Sequence, residues 1–429
     1  VVEPIEDVWL MGIDANVYLP LKDADPDSPA DPGNFTGSGN TGYNYVLTHK
    51  QHLLEWIEDV AERAEANNKT LLAFSHFPAV DFYNQARQKI EELWGEGNFQ
   101  LRRIPSQKTS EALAATGLRI HVAGHMHMND TGVSGHHHVN DTGVIRDEVT
   151  GNILFNVQVP SLAAYVPAYK IVHVRDDKDL IEVETVVIDK VPDFDTLFSH
   201  YLDEWKYLDS LGYERIWNRE ILHSSDYYQF TDWHIRELSR LRFLPREWPE
   251  DVRTMLTGLN GRDMMIASTL ENSFPFAEFK KWAEVGSTDL KELTPEFSEE
   301  WEEAEQKAAR LAENAGIRLS DLNNWNGTDL SVDFYRLRNA DELALRDIPG
   351  ERIEQYSLIA EALSNAGNPS LGEPLDQAGF HEVFQNRFKT IFEVMQLFSQ
   401  DLPSDNFVIN LKTGEIQTLT GEKNRIIVK

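Results

Sequence analysis

Two short apolar runs constrain most of what the first part of this chain can fold into. Thr70-Leu71-Leu72-Ala73-Phe74 and Arg119-Ile120-His121-Val122-Ala123 are short and nearly continuously apolar, the pattern of strands buried on both faces. A helical pattern precedes the first run. Leu53, Leu54, Ile57, Val60, Ala61 and Ala64 form one stripe, Thr48-His49-Lys50-Gln51 has capping-box spacing, and Asn67-Asn68 ends the element. Further helices are predicted over Gln85 to Trp94 and Ser110 to Ala115, with Gly117 as the stop before the second run.

Both runs deliver histidine at their carboxyl ends, the first as Ser75-His76-Phe77-Pro78 and the second as Gly124-His125-Met126-His127. In open α/β sheets that edge is where ligands bind, and neutral imidazole is the commonest metal ligand. His125 and His127 are two residues apart, so an extended or turning segment projects both to one side of the strand end. Gly124 permits a steep turn there. A lone His-x-His is a weak motif, and the second histidine-bearing strand end is what makes it informative. Ser75 and Pro78 are expected to shape the turn, and His121, in mid-strand, to be a packed or surface residue.

Taken together, Ser75-His76-Phe77-Pro78 and Gly124-His125-Met126-His127 resemble the fourth and fifth motifs of the calcineurin-like metallophosphoesterases. The three motifs that come first in that family, Asp-x-His, Gly-Asp with a further Asp, and Gly-Asn-His, are not found in this sequence. The resemblance covers residues 1–190 as the C-terminal half of the catalytic domain, and Val8 to Asn16 would be the strand that follows the third motif. It implies the second half of a metallophosphoesterase β-sandwich flanked by helices, and with the mainly helical accessory domain that the residue pattern itself predicts over 191–429, ending in a small β-meander, the expected fold is α+β.

By the same resemblance His76 and His125 would bind one metal and His127 the other. The complete protein would hold two divalent ions of the Mn, Fe or Zn type. The remaining ligands belong to the missing motifs, so partial or absent occupancy is expected in this chain. The implied activity is metal-dependent phosphoester hydrolysis, as a phosphatase or phosphodiesterase, with this chain an incomplete, inactive or weakly active portion. A phosphoester substrate and the N-terminal half of the same domain are the implied partners. The alternative is a non-catalytic binding or scaffold protein derived from the same fold. A serine hydrolase is disfavoured by the lack of a Gly-x-Ser-x-Gly elbow.

Several residues are candidates for supporting the ligands or touching substrate. Asp14 and Asn16 fall at a strand end beside the expected site, where capping of the turn is an equal reading. Asn129-Asp130-Thr131-Gly132-Val133 recurs as Asn140-Asp141-Thr142-Gly143-Val144, with His136, His137 and His138 between the copies. Those three histidines are either substitute ligands or phosphate contacts, or else a solvated tract. Gly124 completes the set through its turn.

Composition narrows the classes. A formal net charge of −31 disfavours nucleic acid, whose phosphates need clustered Lys and Arg. With no cysteine, metal ligands must be His, Asp, Glu, Asn or water. Lack of cysteine also fits an exported protein, so a periplasmic or secreted setting is favoured over a cytoplasmic one. The sequence has no apolar run of about 18 residues, so no transmembrane segment is expected. The Asp-rich stretch from Lys22 to Thr41, with Asp23, Asp25, Asp27 and Asp31, reads as a solvated loop rather than a calcium site, because the EF-hand glycine and distal glutamate are missing.

From Asn152 onward three strands are predicted, over Ile153 to Val157, Tyr169 to Val174 and Leu180 to Ile188. Composition changes near Lys190-Val191-Pro192-Asp193. Beyond it, helices are predicted over Phe194 to Leu211, Tyr227 to Leu244, Phe274 to Val285, Glu299 to Asn314 and Gly379 to Phe398. Phe407 to Lys429 alternates around Thr413-Gly414, the pattern of a meander.

Overall fold

A computed structural model describes residues 1–37, 42–83, 86–134, 136–139, 143–146, 151–175, 177, 179–285, 295–367, 371, 374–399 and 402–419. They fall into two compact units. The first draws on Val1–Arg87, Glu96–Ile188 and Asp401–Gly421, and the second on Gln88–Gly95 and Asp189–Gln400.

Six strands make the main sheet of the first unit: β1 (Val2–Ile5), β2 (Val8–Gly12), β3 (Thr70–Ser75), β4 (Ile120–Ala123), β5 (Asp130–Ser134) and β8 (Leu154–Gln158), in the order β1-β2-β3-β4-β8-β5. The four inner strands β2, β3, β4 and β8 run parallel, and the outer two are antiparallel to their neighbours. Parallel neighbours need a crossover. The helices Gln51–Ala66 and Gln107–Ala115 provide it before β3 and before β4. A separate hairpin joins β6 (His136–Val139) to β7 (Gly143–Arg146).

The helix stripe read from the sequence is the buried face. Leu53, Ile57 and Val60 pack with Leu113 and Ala114 against Met11, Ala73 and Leu154 of the sheet, and Ala64 is buried on the same helix. The expected capping box at Thr48 does not form. Thr48 lies inside a one-turn helix, Val46–His49, and donates to Tyr45 O, while the chain breaks at Lys50 (φ −143°). Lys50 is engaged elsewhere, holding the carbonyls of Asp14 and Asn16 with its ammonium.

On the opposite face, Ile120, Phe155 and Val157 join one cluster with Ile181, Val183, Phe407 and Ile409 from a second sheet. That sheet is antiparallel, in the order β12-β11-β10-β9, with β9 (Ala168–Val174), β10 (Leu180–Val187), β11 (Phe407–Asn410) and β12 (Ile416–Thr418). The fold is therefore α+β, with helices on one face of the mixed sheet and a second sheet on the other.

The C-terminal strands differ from the expected arrangement. They do not form a meander of the helical region but extend the edge of β10, with Leu180 opposite Asn410 and Val183 opposite Phe407. A two-stranded hairpin is marginal alone. Paired with β10, Phe407 and Ile409 become fully buried. β10 ends at Val187, and the last strands group with the first unit.

The second unit is helical, with Phe198–Ser210, Tyr227–Leu238, Glu250–Gly258, Gly261–Ala267, Phe276–Val285, Pro295–Asn314, Gly327–Ala340, Gly350–Asn365 and Phe380–Ser399 as its longer helices. Gly327–Ala340 is its centre, buried at 12 of its 14 residues. A helix apolar or satisfied all round belongs in the middle of a core. Aromatic side chains fill that core, Trp301, Tyr335, Tyr356, Phe334 and Phe380 among them.

Candidate functional site

The parallel pairing of β3 with β4 places Ser75 opposite Ala123, so the residues that follow, His76 and His125, leave the same edge of the sheet side by side. Their imidazoles meet: His125 Nδ1 is 2.8 Å from His76 Nε2, with the rings edge to face and centroids 4.8 Å apart. Phe77 packs on the His125 ring at 4.4 Å. Arg103, from the turn Leu101–Arg103, lies 3.1 Å from His125 Nε2.

Those contacts assign the protons. A guanidinium only donates, so His125 Nε2 accepts from Arg103. His125 Nδ1 then carries the hydrogen and donates to His76 Nε2, leaving the His76 hydrogen on Nδ1. Partial burial, reinforced by the charges of Arg103, His76 and His127, pushes the His125 imidazole down to about 4. It is neutral at pH 7, the form that binds metal.

The backbone that presents these side chains is strained. His125 and His127 have φ of 61° and 55°, alternating with Met126, which is buried. Left-handed non-glycine residues cost on the order of 1 kcal/mol or more each and persist only where the surroundings over-determine them. Here the constraints are visible. Gly124 N donates to His76 O, Met126 N donates to Gly124 O, and Gln158, with its amide turned to donate, reaches O of Ala123 and Gly124. Gly124 itself is not the turning residue that was expected. A β-carbon there would meet His76 O at 3.9 Å, an ordinary contact, and the left-handed turns fall on His125 and His127, which follow it.

Beneath the pair lies a polar cluster inside the sheet. Ala73, His121 and Asn156 sit in register across β3, β4 and β8. His121 is fully buried, with Nδ1 2.8 Å from Asn156 Oδ1 and Nε2 2.9 Å from Ser75 Oγ. Tyr43 donates to Ser75 Oγ at 3.2 Å, and Ser75 Oγ donates to Phe77 O at 2.7 Å. Burial first, and then the nearby Asp14 charge, push the Tyr43 phenol above its ordinary range. Asn156 Nδ2 has no partner among the described residues, which costs about 1–3 kcal/mol for a buried polar group.

Burial pushes the His121 imidazole down to about 4, against an ordinary value near 6.5. The sign of the consequence follows. Between those two values the unfolded chain holds a proton that the folded chain refuses, so this contribution to stability is complete above pH 6.5 and is lost as pH falls toward 4. The loss is roughly 3 kcal/mol when complete. Denaturation midpoints from pH 7 to pH 4 should therefore fall less steeply in His121→Asn than in the parent, and parallel profiles would remove His121 as the cause.

Of the other predicted residues, Asp14 and Asn16 cap their turn. Asp14 Oδ1 accepts from the backbone and side-chain nitrogens of Asn16, and Lys50 Nζ bonds Asp14 Oδ2. Burial alone would raise the Asp14 carboxyl, but these bonds outweigh it and hold the group below its usual range. His127 is exposed, and near enough for its charge to act on His125. His136, His137 and His138 lie on β6, and their side chains fall outside the described residues.

Three participants carry no sequence motif: Arg103, Tyr43 and Asn156. Asn156 had a signal, a polar residue inside the apolar run Leu154-Phe155-Asn156-Val157, and His121 had the same one inside β4. Polar groups in such positions are there to be hydrogen-bonded.

In kind the donors are two imidazoles on one strand edge, but the His125 Nε2 lone pair is taken by Arg103 and the His76 Nε2 lone pair by His125 Nδ1–H, so a cation would have to displace both contacts. The donors do not fit a cation in number: among the described residues no group of three or more His, Cys, Asp or Glu is placed to hold a metal ion. Among the described residues, no helix is long and apolar enough to cross a membrane. Compared with the models of known families and with curated proteins, the chain matches none.

Proposed function

We propose that this chain carries part of a metal-dependent phosphoester hydrolase centre of the calcineurin-like kind, with His76 and His125 as nitrogen donors to one divalent cation and His127 as a donor to a second. What supports the reading is the meeting of His76 and His125 at the carboxyl ends of adjacent parallel strands, on the motifs that resemble that family. Arg103 beside them adds fixed positive charge, the sign a phosphoryl group needs.

In such centres a pair of cations about 4 Å apart activates water and neutralises charge on the phosphoryl oxygens. This chain's own contribution is the imidazole edge and its orientation. The carboxylate and amide ligands would come from a further polypeptide segment, since two like charges cannot be held close together by imidazole alone.

Metal titration tests the reading. Zn2+ or Mn2+ added to the purified chain should bind with modest affinity, and binding should weaken by about tenfold or more in His76→Ala and in His125→Ala while His52→Ala leaves it unchanged. Equal binding by the His76→Ala/His125→Ala double variant would sink the metal assignment. Turnover of p-nitrophenyl phosphate should need an added segment that supplies the carboxylates, so rapid metal-dependent turnover by the chain alone would overturn the division of ligands.

A further inference from the structure

We propose that His121 is a positioning residue for the His76–His125 pair, acting with Asn156 to clamp the segment Ser75–Ala79 from beneath the sheet. The inference deepens the function proposed above and rests on it only for its metal-binding arm.

The clamp has two ends and a middle. At one end His121 Nε2 holds Ser75 Oγ at 2.9 Å, and at the other Asn156 Oδ1 accepts from Ala79 N at 2.9 Å. His121 Nδ1 and Asn156 Oδ1, 2.8 Å apart, join the two grips. Between them His76 O accepts from Gly124 N at 3.2 Å, which ties the segment to the turn that carries His125. The five-residue segment Ser75–Ala79 is thus fixed at both ends, and His76 is the first residue after the Ser75 grip.

The protonation pattern is determined by the neighbours. Ala79 N–H requires an acceptor, so the atom it meets on Asn156 is oxygen. His121 must then donate from Nδ1 and keep its lone pair on Nε2, facing the Ser75 hydroxyl. That hydroxyl has one hydrogen and two acceptors, Nε2 and Phe77 O, and it receives one from Tyr43. Nδ1 has Asn156 Oδ1 at 2.8 Å and Nε2 has the Ser75 hydroxyl at 2.9 Å, whose one hydrogen it shares with Phe77 O, and the ring is 0% exposed, so water does not compete for it. An apolar residue would fill the same space between Ile120 and Val122 without needing partners. What the imidazole adds is a fixed distance between two strands and a loop.

Orientation of ligands by buried hydrogen-bonding partners is a general feature of metal sites, and losing such a partner weakens metal binding by about 10–100-fold. The test uses His121→Phe, which keeps a ring and removes both nitrogens, Ser75→Ala, which opens one end of the clamp, and Asn156→Asp, which keeps the acceptor oxygen. The first measurement needs no metal. Long-range ¹H–¹⁵N spectra of the parent should show His121 and His125 each as a single Nδ1–H tautomer. In His121→Phe and in Ser75→Ala the His125 pattern should become a tautomer mixture, and in Asn156→Asp it should stay single.

The second measurement is Zn2+ titration of the same proteins, each first checked for an intact fold by its heat-absorption peak. Binding should weaken about tenfold in His121→Phe and in Ser75→Ala and stay within about threefold of the parent in Asn156→Asp. If folded His121→Phe keeps both the single tautomer and the parent affinity, the positioning role is wrong while the metal assignment stands. If the parent binds no Zn2+ yet loses its tautomer order in the variants, the positioning role stands and the metal assignment fails. Should His121→Phe not fold, Ser75→Ala decides alone by the same two readings.

Discussion

Asp333→Ala is expected to destabilise the helical unit by about 3–5 kcal/mol, enough to unfold most single domains of ordinary stability. Asp333 is completely buried, and its two oxygens accept from Arg336 at 2.8 Å, from Arg352 at 2.9 Å and from the Tyr356 hydroxyl at 2.8 Å. Arg336 is itself buried and bridges on to Asp232. Burial works against the charge on Arg352, and the Asp333 carboxylate outweighs it and raises the guanidinium above its ordinary range. Burial, and next that same carboxylate, drive the Tyr356 phenol well above its ordinary range.

Deleting the carboxylate takes from Arg352 its ion-pair partner and leaves the buried Arg336 paired with Asp232. Both keep their desolvation penalty, which is why breaking a buried pair is much worse than replacing the whole of it. Asp333→Asn keeps the shape and two acceptor contacts and should be less damaging. Urea denaturation followed by tryptophan fluorescence reads this unit well, since Trp248, Trp301 and Trp325 are all buried in it. A loss under about 1 kcal/mol for Asp333→Ala would show that the network is solvated, or that it relaxes.

Gly327→Ala should be comparably severe, at about 3 kcal/mol or more, through sterics alone. A β-carbon at Gly327 would stand 2.2 Å from Leu256 O and 2.6 Å from Leu256 Cα. Both are backbone atoms, so no rotamer change relieves the clash. The closeness comes from two helix starts packed back to back. Gly327 N donates to Leu259 O and Gly261 N donates to Trp325 O, with Asn260 and Asn326 bridged between them.

Each start has a complete capping box, Asn260 with Asp263 and Asn326 with Asp329. Gly261→Ala is the informative companion. Its β-carbon would meet the Trp325 ring at 2.3 Å and Leu322 O at 2.6 Å, so part of the clash is with a side chain and its penalty should be the smaller of the two. Thermal midpoints that leave Gly327→Ala within 2 °C of the parent would mean that the helix starts can separate freely.

Those helix starts carry a local signal, though no helix was predicted at either. Asn260-Gly261-Arg262-Asp263 and Asn326-Gly327-Thr328-Asp329 share one spacing, and Asn three residues before an acid is a helix-start pattern whose bonds are local. The helix stripe of Leu53, Ile57, Val60 and Ala64 was legible, since its residues lie on one face of a short segment. The helices predicted beyond residue 190 lie within a few residues of observed ones, but the buried helices Gly327–Ala340 and Gly350–Asn365 were not predicted. Tyr227 to Leu244 is divided by a π-turn at Ser239–Phe243, where i+5 bonding leaves no mark in the residue pattern.

The strands were less legible. β1 was missed because Val2-Glu3-Pro4-Ile5 alternates only briefly and carries a proline, tolerated there because the strand is an edge. At the site, His76 and His125 could be read because histidine at the end of a buried strand is unusual and local. Arg103 could not, since nothing near it in sequence marks the imidazole it meets.

The sequence alone therefore determined local matters: the buried strands β3 and β4, the periodic helices such as Gln51–Ala66, and that two strand ends carry imidazoles. Tertiary structure decided the pairings. It set β3 beside β4 so that His76 meets His125, aligned His121 with Asn156 beneath them, and returned Phe407 and Ile409 to the edge of β10. The physical reason is range. Helix periodicity, caps and turns are satisfied by residues a few positions apart, whereas register and strand order depend on contacts across hundreds of residues that become favourable only when the apolar faces close together.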